Sequence, residues 1–135
     1  MKAWIMMLLA LSLPLAASAE ESKENDATKV SYVTLTPAFV GNYALDGGPK
    51  LHVYKADIAL RVTGVDSEQA VRRNEPLIRN QLVALFAQQS ADTMNNVEAK
   101  EKLRQEALKQ TQRVLNDEEG KPVVEDLLFN NLIIQ

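Results

Sequence analysis

"YKADIALRVTGVDSEQAV", residues 54–71, contains the change of period that decides the fold. Tyr54, Ala56, Ile58, Leu60 and Val62 fall on one side, and Lys55, Asp57 and Arg61 on the other. Alternation at period two marks a strand with one buried face and one wet face. From "DSEQ" the period lengthens. Asp66 or Ser67 can cap a helix, with Glu68 and Gln69 in its first turn. Val71, Ile78, Leu82, Leu85 and Phe86 then share one helical face.

Upstream, "VSYVTLTPAFVGNY" (residues 30–43) sets Val33, Leu35, Pro37, Phe39 and Tyr43 at odd positions, a second strand pattern. Pro37 cannot donate to a ladder, so this strand belongs at a sheet edge or breaks there. "LDGGPK" (45–50) supplies the reversal between the two strands, predicting an antiparallel hairpin. Downstream, Pro76 either opens a new helix or kinks a continuing one. The polar "QQSADTMNN" (88–96) then separates this region from a second helix capped by Asn95 or Asn96. Its stripe is Leu103, Ala107, Leu108, Thr111, Val114 and Leu115, with Lys100, Lys102, Arg104, Lys109 and Arg113 off it in solvent. Gly120 and Pro122 end that helix.

"VVEDLLFNNLIIQ" (123–135) reads as a final strand. Strict alternation places Val124, Leu128, Leu132 and Ile134 on one face and Leu127, Phe129 and Ile133 on the other. Two apolar faces imply an inner strand, or one covered by another subunit. The expected fold class is therefore α+β in the order β-β-α-α-β. A small antiparallel sheet carries two helices on one face, and deletion of Ile133 to Gln135 is expected to unfold it.

The first residues form a separate unit. "MKAWIMMLLALSLPLAASAEE" has a basic start, an apolar run and Ala17-Ser18-Ala19, the pattern of a signal peptide cleaved before Glu20. The alternative is an uncleaved membrane anchor. The expected division is 1–19 signal, 20–29 charged flexible leader and 30–135 folded domain. Cleavage removes Lys2 from the 15 basic residues, leaving 14 against 18 acidic, a net charge of −4. That balance gives no electrostatic footprint for nucleic acid or an anionic membrane surface. Membrane association is expected only if the N-terminal segment stays uncleaved. The chain has no cysteine, which excludes a lipidated N-terminus, thiol chemistry and cysteine metal sites.

No pattern calls for catalysis. His52 is the sole histidine and has no motif partner, so a structural or surface role is expected. Asp57 and Arg61 read as solvated charges, and Asp117 to Glu119 as a soluble turn without the ligand spacing of a calcium loop. No cofactor and no enzymatic activity are expected. "NEPLIRN" (74–80) stands out because proline and arginine interrupt an amphipathic helix, marking a specific shape or partner.

Several motifs in order resemble the flagellar basal-body-associated FliL family. They are "LTPAFVGNY", "LHVYKADIALRV", "EPLIRNQLVALFAQQS", "KEKLRQEALKQTQRVL" and "VEDLLFNNLIIQ", covering about residues 31–135. The family's motifs match at Pro37, Phe39 and Asn42, at Pro76, Ile78 and Arg79, and at Phe129 and Gln135, which become the candidate shape- or partner-determining residues. Gly41 departs from the family's β-branched residue, and glycine there permits a bulge. The resemblance implies a domain similar to the stomatin/prohibitin type. It further implies a periplasmic homo-oligomer around or beside the flagellar stator, supporting motility without catalysis. Members typically keep a transmembrane helix at the inner membrane, the localisation expected if the first segment is not cleaved. The competing function is a periplasmic small-ligand-binding module with a closed apolar pocket between sheet and helices.

Overall fold

A computed structural model describes residues 26–45 and 48–135. The expected signal segment, most of the leader, and Asp46 and Gly47 of the expected turn lie outside the described residues. Strands β1 (Val30–Tyr43) and β2 (His52–Thr63) are followed by four helices: α1 (Val65–Arg73), α2 (Glu75–Ala87), α3 (Ala91–Asn95) and α4 (Val97–Glu119). Strand β3 (Asp126–Ile134) completes an antiparallel sheet of order β1-β2-β3. The α+β class stands. The helical part, expected as two helices, resolves into four.

The subdivision has local causes. A Pro ring near the start of α2 cannot continue an earlier helix, so α1 stops at Arg73 with Asn74 as its C-cap, and α2 begins with Pro76 in its first turn. The expected cap at Asp66 or Ser67 is corrected: α1 starts at Val65, with Gly64 as N-cap. The polar break contains α3, capped by Ser90, because Met94 within it is fully buried and anchors the turn. Asn96 caps α4 as expected, its Oδ1 accepting from the Glu98 and Ala99 amides. Gly120 ends α4 at φ 78°, a left-handed conformation that side-chain-bearing residues resist.

The core lies between one sheet face and the helices. Ile58, Leu60 and Val62 of β2 meet Val71 of α1, Ile78 and Leu82 of α2, and Leu115 of α4, all of them fully buried. Burying each such side chain contributes about 1.5–3 kcal/mol. β2 is the inner strand, and its Lys55 stays exposed on the far face as the alternation predicts.

Both outer strands depart from strict alternation. In β1 the register with β2 shifts between Leu35 and Phe39. Pro37, expected in phase with the core residues, is instead exposed within that irregularity. An edge strand tolerates this because its outer N–H groups have no ladder partner to lose. β3 is also an edge strand, which corrects the inner position expected from its two apolar faces. Asp57 pairs with Asn131 but Ile58 pairs with Phe129, so Asn130 is an extra residue, a β-bulge. The bulge shifts the phase by one. Leu127 and Phe129 before it, and Leu132 and Ile134 after it, all pack on the core, while Ile133 is 42% exposed on the other face. The two-faced appearance came from one buried phase changing parity at the bulge.

No bulge occurs at Gly41, where the ladder runs unbroken from Phe39 to Tyr43. A Cβ at this position would lie 2.8 Å from the Tyr54 hydroxyl oxygen. The ring of Tyr54 therefore fills the space that a β-branched residue would take. Its hydroxyl pKa is pushed above the ordinary value by burial.

Candidate functional site

The irregular stretch of β1 and the start of α2 meet at Arg79. Helix α2 buries Ile78 and Leu82, which leaves Arg79 beside that face, directed at β1. Its Nη2 donates to the Pro37 carbonyl at 2.6 Å. The guanidinium carbon sits 4.2 Å from the centre of the Phe39 ring, a cation–π contact. Glu75, one turn back, is 3.9 Å from the same Nη2. A carbonyl in the register break is thus met by a charged donor whose guanidinium lies over the Phe39 ring. Arg79 of "NEPLIRN" holds the local shape of β1 through these contacts.

Phe39 continues the network inward. Its ring meets Phe86 edge-on at 5.9 Å, and Phe86 in turn meets Tyr54 at 5.2 Å and Phe129 at 6.1 Å. Such aromatic pairs add to the value of burial alone. Of the eight residues singled out by sequence, Pro37, Phe39 and Arg79 are in direct contact, and Phe129 joins them through Phe86. Asn42 and Gln135 form a second group at one end of the sheet. Asn42 is paired with Val53, and Val53 exchanges both backbone hydrogen bonds with Gln135. Ile78 is an ordinary core residue at 0% exposure, and Pro76 lies apart, exposed in the first turn of α2.

Other charged residues meet across long stretches of sequence. Glu119 accepts from Asn74 Nδ2 at 2.8 Å and pairs with Arg73 at 3.1 Å, closing the α1–α2 junction against the end of α4. The Asn74 hydrogen bond first, and the Arg73 charge with it, hold the Glu119 carboxyl below its ordinary pKa. Glu119 therefore belongs to a helix end with a partner, rather than to the free turn expected for residues 117–119. Arg104, expected in solvent, bridges Glu101 and Asp126 and donates to the Leu127 carbonyl at 3.1 Å. Its hydrogen bond to Glu101 lowers the pKa of that carboxyl and raises its own. Arg61, also read as solvated, pairs with Glu125 at 3.3 Å. Apart from the Glu101–Arg104 pair, three residues apart on α4, these partnerships have no local sequence signal, because the partners lie on different elements.

The sheet face away from the helices carries Tyr32, Val40 and Ile133, exposed by 54%, 67% and 42%. His52 packs against Tyr43 with the rings tilted at 49° and 5.1 Å between their centres. Among the described residues, no group of three or more His, Cys, Asp or Glu side chains is placed to hold a metal ion. Among the same residues, no helix is long and apolar enough to cross a membrane. The arrangement offers shape and contact surface.

Two comparisons bear on this surface. The family described as "Flagellar basal body-associated protein FliL" matches residues 32–135, which takes in nearly all of β1 and everything after it. The "Flagellar protein FliL" of Aquifex aeolicus (strain VF5) is 30% identical over 102 residues, covering 75% of this chain and 59% of that protein. The chain thus spans less than two thirds of that relative's length.

Proposed function

The chain belongs to the flagellar basal body-associated FliL family, and from that membership we propose that it is a non-enzymatic accessory protein of the flagellar motor. The observation that carries this reading is the extent of the family match, which covers the three strands and four helices of the packed domain. In this reading the domain is periplasmic, of the stomatin/prohibitin type, and works by contact: copies associate with one another and stand beside the stator. The exposed Tyr32, Val40 and Ile133 on the uncovered sheet face support self-association, since apolar side chains grouped on one face favour burial against a second surface. Pro37, Phe39 and Arg79 act as shape-determining residues, holding the edge strand in the form that neighbours meet. Phe129 supports them from β3, and Asn42 and Gln135 define the far end of the sheet.

The test has two arms. Deleting the gene in its own organism is expected to reduce swimming or swarming in soft agar, with restoration by the intact gene. Light scattering on the purified domain is expected to show dimers or larger rings that dissociate when Val40 and Ile133 are changed to Ser. Normal motility in the deletion strain together with a strictly monomeric domain would overturn the reading.

A further inference from the structure

The sheet face away from the helices has a distinct order of charges. Along β2 its residues are Val53, Lys55, Asp57, Ala59, Arg61 and Thr63, since those between them are buried against the helices. The register places Val40 and Ile133 on either side of Lys55, Asn131 beside Asp57, and Thr34 and Leu128 on either side of Ala59. Arg61 is balanced by Glu125 at 3.3 Å, and Asp126 by Arg104 at 2.7 Å. Lys55 and Asp57 form no ion pair with any described residue. Among the described strand residues the face is thus neutral, with one unpaired cation and one unpaired anion side by side at its centre.

We propose that a second copy of the chain covers this face, sheet against sheet, with the two β2 strands antiparallel and a two-fold axis at the level of Ala56. The inference rests on the self-association proposed above and adds the geometry in which the copies meet. Under a two-fold axis each contact occurs twice with the roles exchanged, so the face has to be its own complement. With the axis at Ala56, each Lys55 meets Asp57 of the second copy, giving two ion pairs, and each Val53 lies over the short side chain of Ala59. Packed sheets lie about 10 Å apart, a gap that a lysine and an aspartate bridge end to end. Val40 and Ile133 flank each Lys55, so the pairs form in an apolar layer where attraction between charges is stronger than in water. Other settings fit less well. Parallel strands, or an axis at Lys55, Asp57 or Ile58, bring like charges together. An axis at Ala59 offers Asp57 only Arg61, which Glu125 already balances, and leaves Lys55 opposite Thr63. A strongly charged partner gains nothing from a neutral face, and a purely apolar one would bury Lys55 and Asp57 unpaired. Such a contact closes at two copies, so a larger ring would need a further surface.

Charge reversal in the full chain, read by sedimentation equilibrium, tests the geometry. Lys55→Glu leaves each face with two unpaired anions, and Asp57→Lys leaves it with two unpaired cations. Each variant alone is expected to dimerise roughly a hundredfold more weakly than the unaltered chain. Mixed in equal amounts, the two variants are expected to form a heterodimer about as tight as the original, because every like-charge contact becomes an opposite one. That recovery also shows that both variants fold. The double exchange Lys55→Asp with Asp57→Lys is expected to dimerise on its own. If the unaltered chain dimerises and the single variants do so equally well, this geometry is overturned while self-association stands. The same holds if the single variants are weakened and their mixture stays monomeric. An unaltered chain that is monomeric at every concentration overturns both, and leaves the face to a different partner.

Discussion

Arg79→Ala removes a side chain that ties α2 to the irregular part of β1, and its cost can be worked from the contacts. The hydrogen bond to the Pro37 carbonyl, 2.6 Å long with a charged donor, belongs to a class worth about 1.5–3 kcal/mol. The cation–π contact on Phe39 at 4.2 Å adds about 0.5–1 kcal/mol for a partly exposed pair. The 3.9 Å pair with Glu75 adds at most about 0.5 kcal/mol. One guanidinium makes all three contacts, so they do not sum independently, and a total loss of about 2–3 kcal/mol is expected. That is a large share of the roughly 5–15 kcal/mol by which a domain of this kind is stable. Arg79→Lys keeps the charge but loses the planar stack, and should lose about 1 kcal/mol. Urea unfolding followed by circular dichroism reads both variants, with an unchanged denaturant slope confirming that the transition stays two-state. A double-mutant cycle with Phe39→Leu should return a coupling of about 0.5–1 kcal/mol. A loss below about 0.5 kcal/mol for Arg79→Ala, or zero coupling to Phe39, would refute the clamp.

Three further outcomes follow from the packing. Gly41→Val sets a Cβ 2.8 Å from the Tyr54 hydroxyl and should destabilise by about 1–3 kcal/mol through overpacking; Tyr54→Phe in the same chain should recover part of it, read by urea midpoint. Leu127→Ala, at a fully buried position, should cost about 2–5 kcal/mol. Ile133→Ala on the exposed side of the same strand should cost less than about 1 kcal/mol, and similar losses for the two would overturn the phase assigned to β3. Glu119 has its pKa lowered in the folded state, so its contribution is present above the ordinary carboxylate range and is lost as pH falls through the folded value. Thermal midpoints should therefore drop on acidification more steeply in the wild type than in Glu119→Gln.

The sequence made regular features legible and hid those that depend on contacts between elements. The alternation from Tyr54 to Val62 placed β2 and its buried face correctly, and the Asn96 and Gly120 signals bounded α4, because each is a local pattern with a local cause. β3 was misread because alternation presumes a constant phase, and the "NN" at 130–131 carries no mark that one residue is extra. The short helix α3 was hidden by polar residues around a single buried Met94. Within the candidate site, Pro37, Phe39 and Arg79 stood out from their surroundings by residue type. Their meeting in space was not readable, since 42 residues separate Pro37 from Arg79. Glu75, Phe86 and the Asn74–Glu119 contact were missed as members of a site for the same reason.

The bulge at Asn130 makes the last strand behave like a message with a reading frame. Removing Asn130, the extra letter, would leave Phe129 opposite Ile58 and Asn131 opposite Asp57, a ladder of strict alternation with every partner kept. Leu132 and Ile134 would still face the core, opposite Ala56 and Tyr54, and Ile133 would still face away. A lone deletion there is therefore far less damaging than one elsewhere in the strand, where the residues on one side of the gap change face. Natural variation in this strand should accordingly tolerate loss of the bulge residue while keeping Leu127, Phe129, Leu132 and Ile134 on one face.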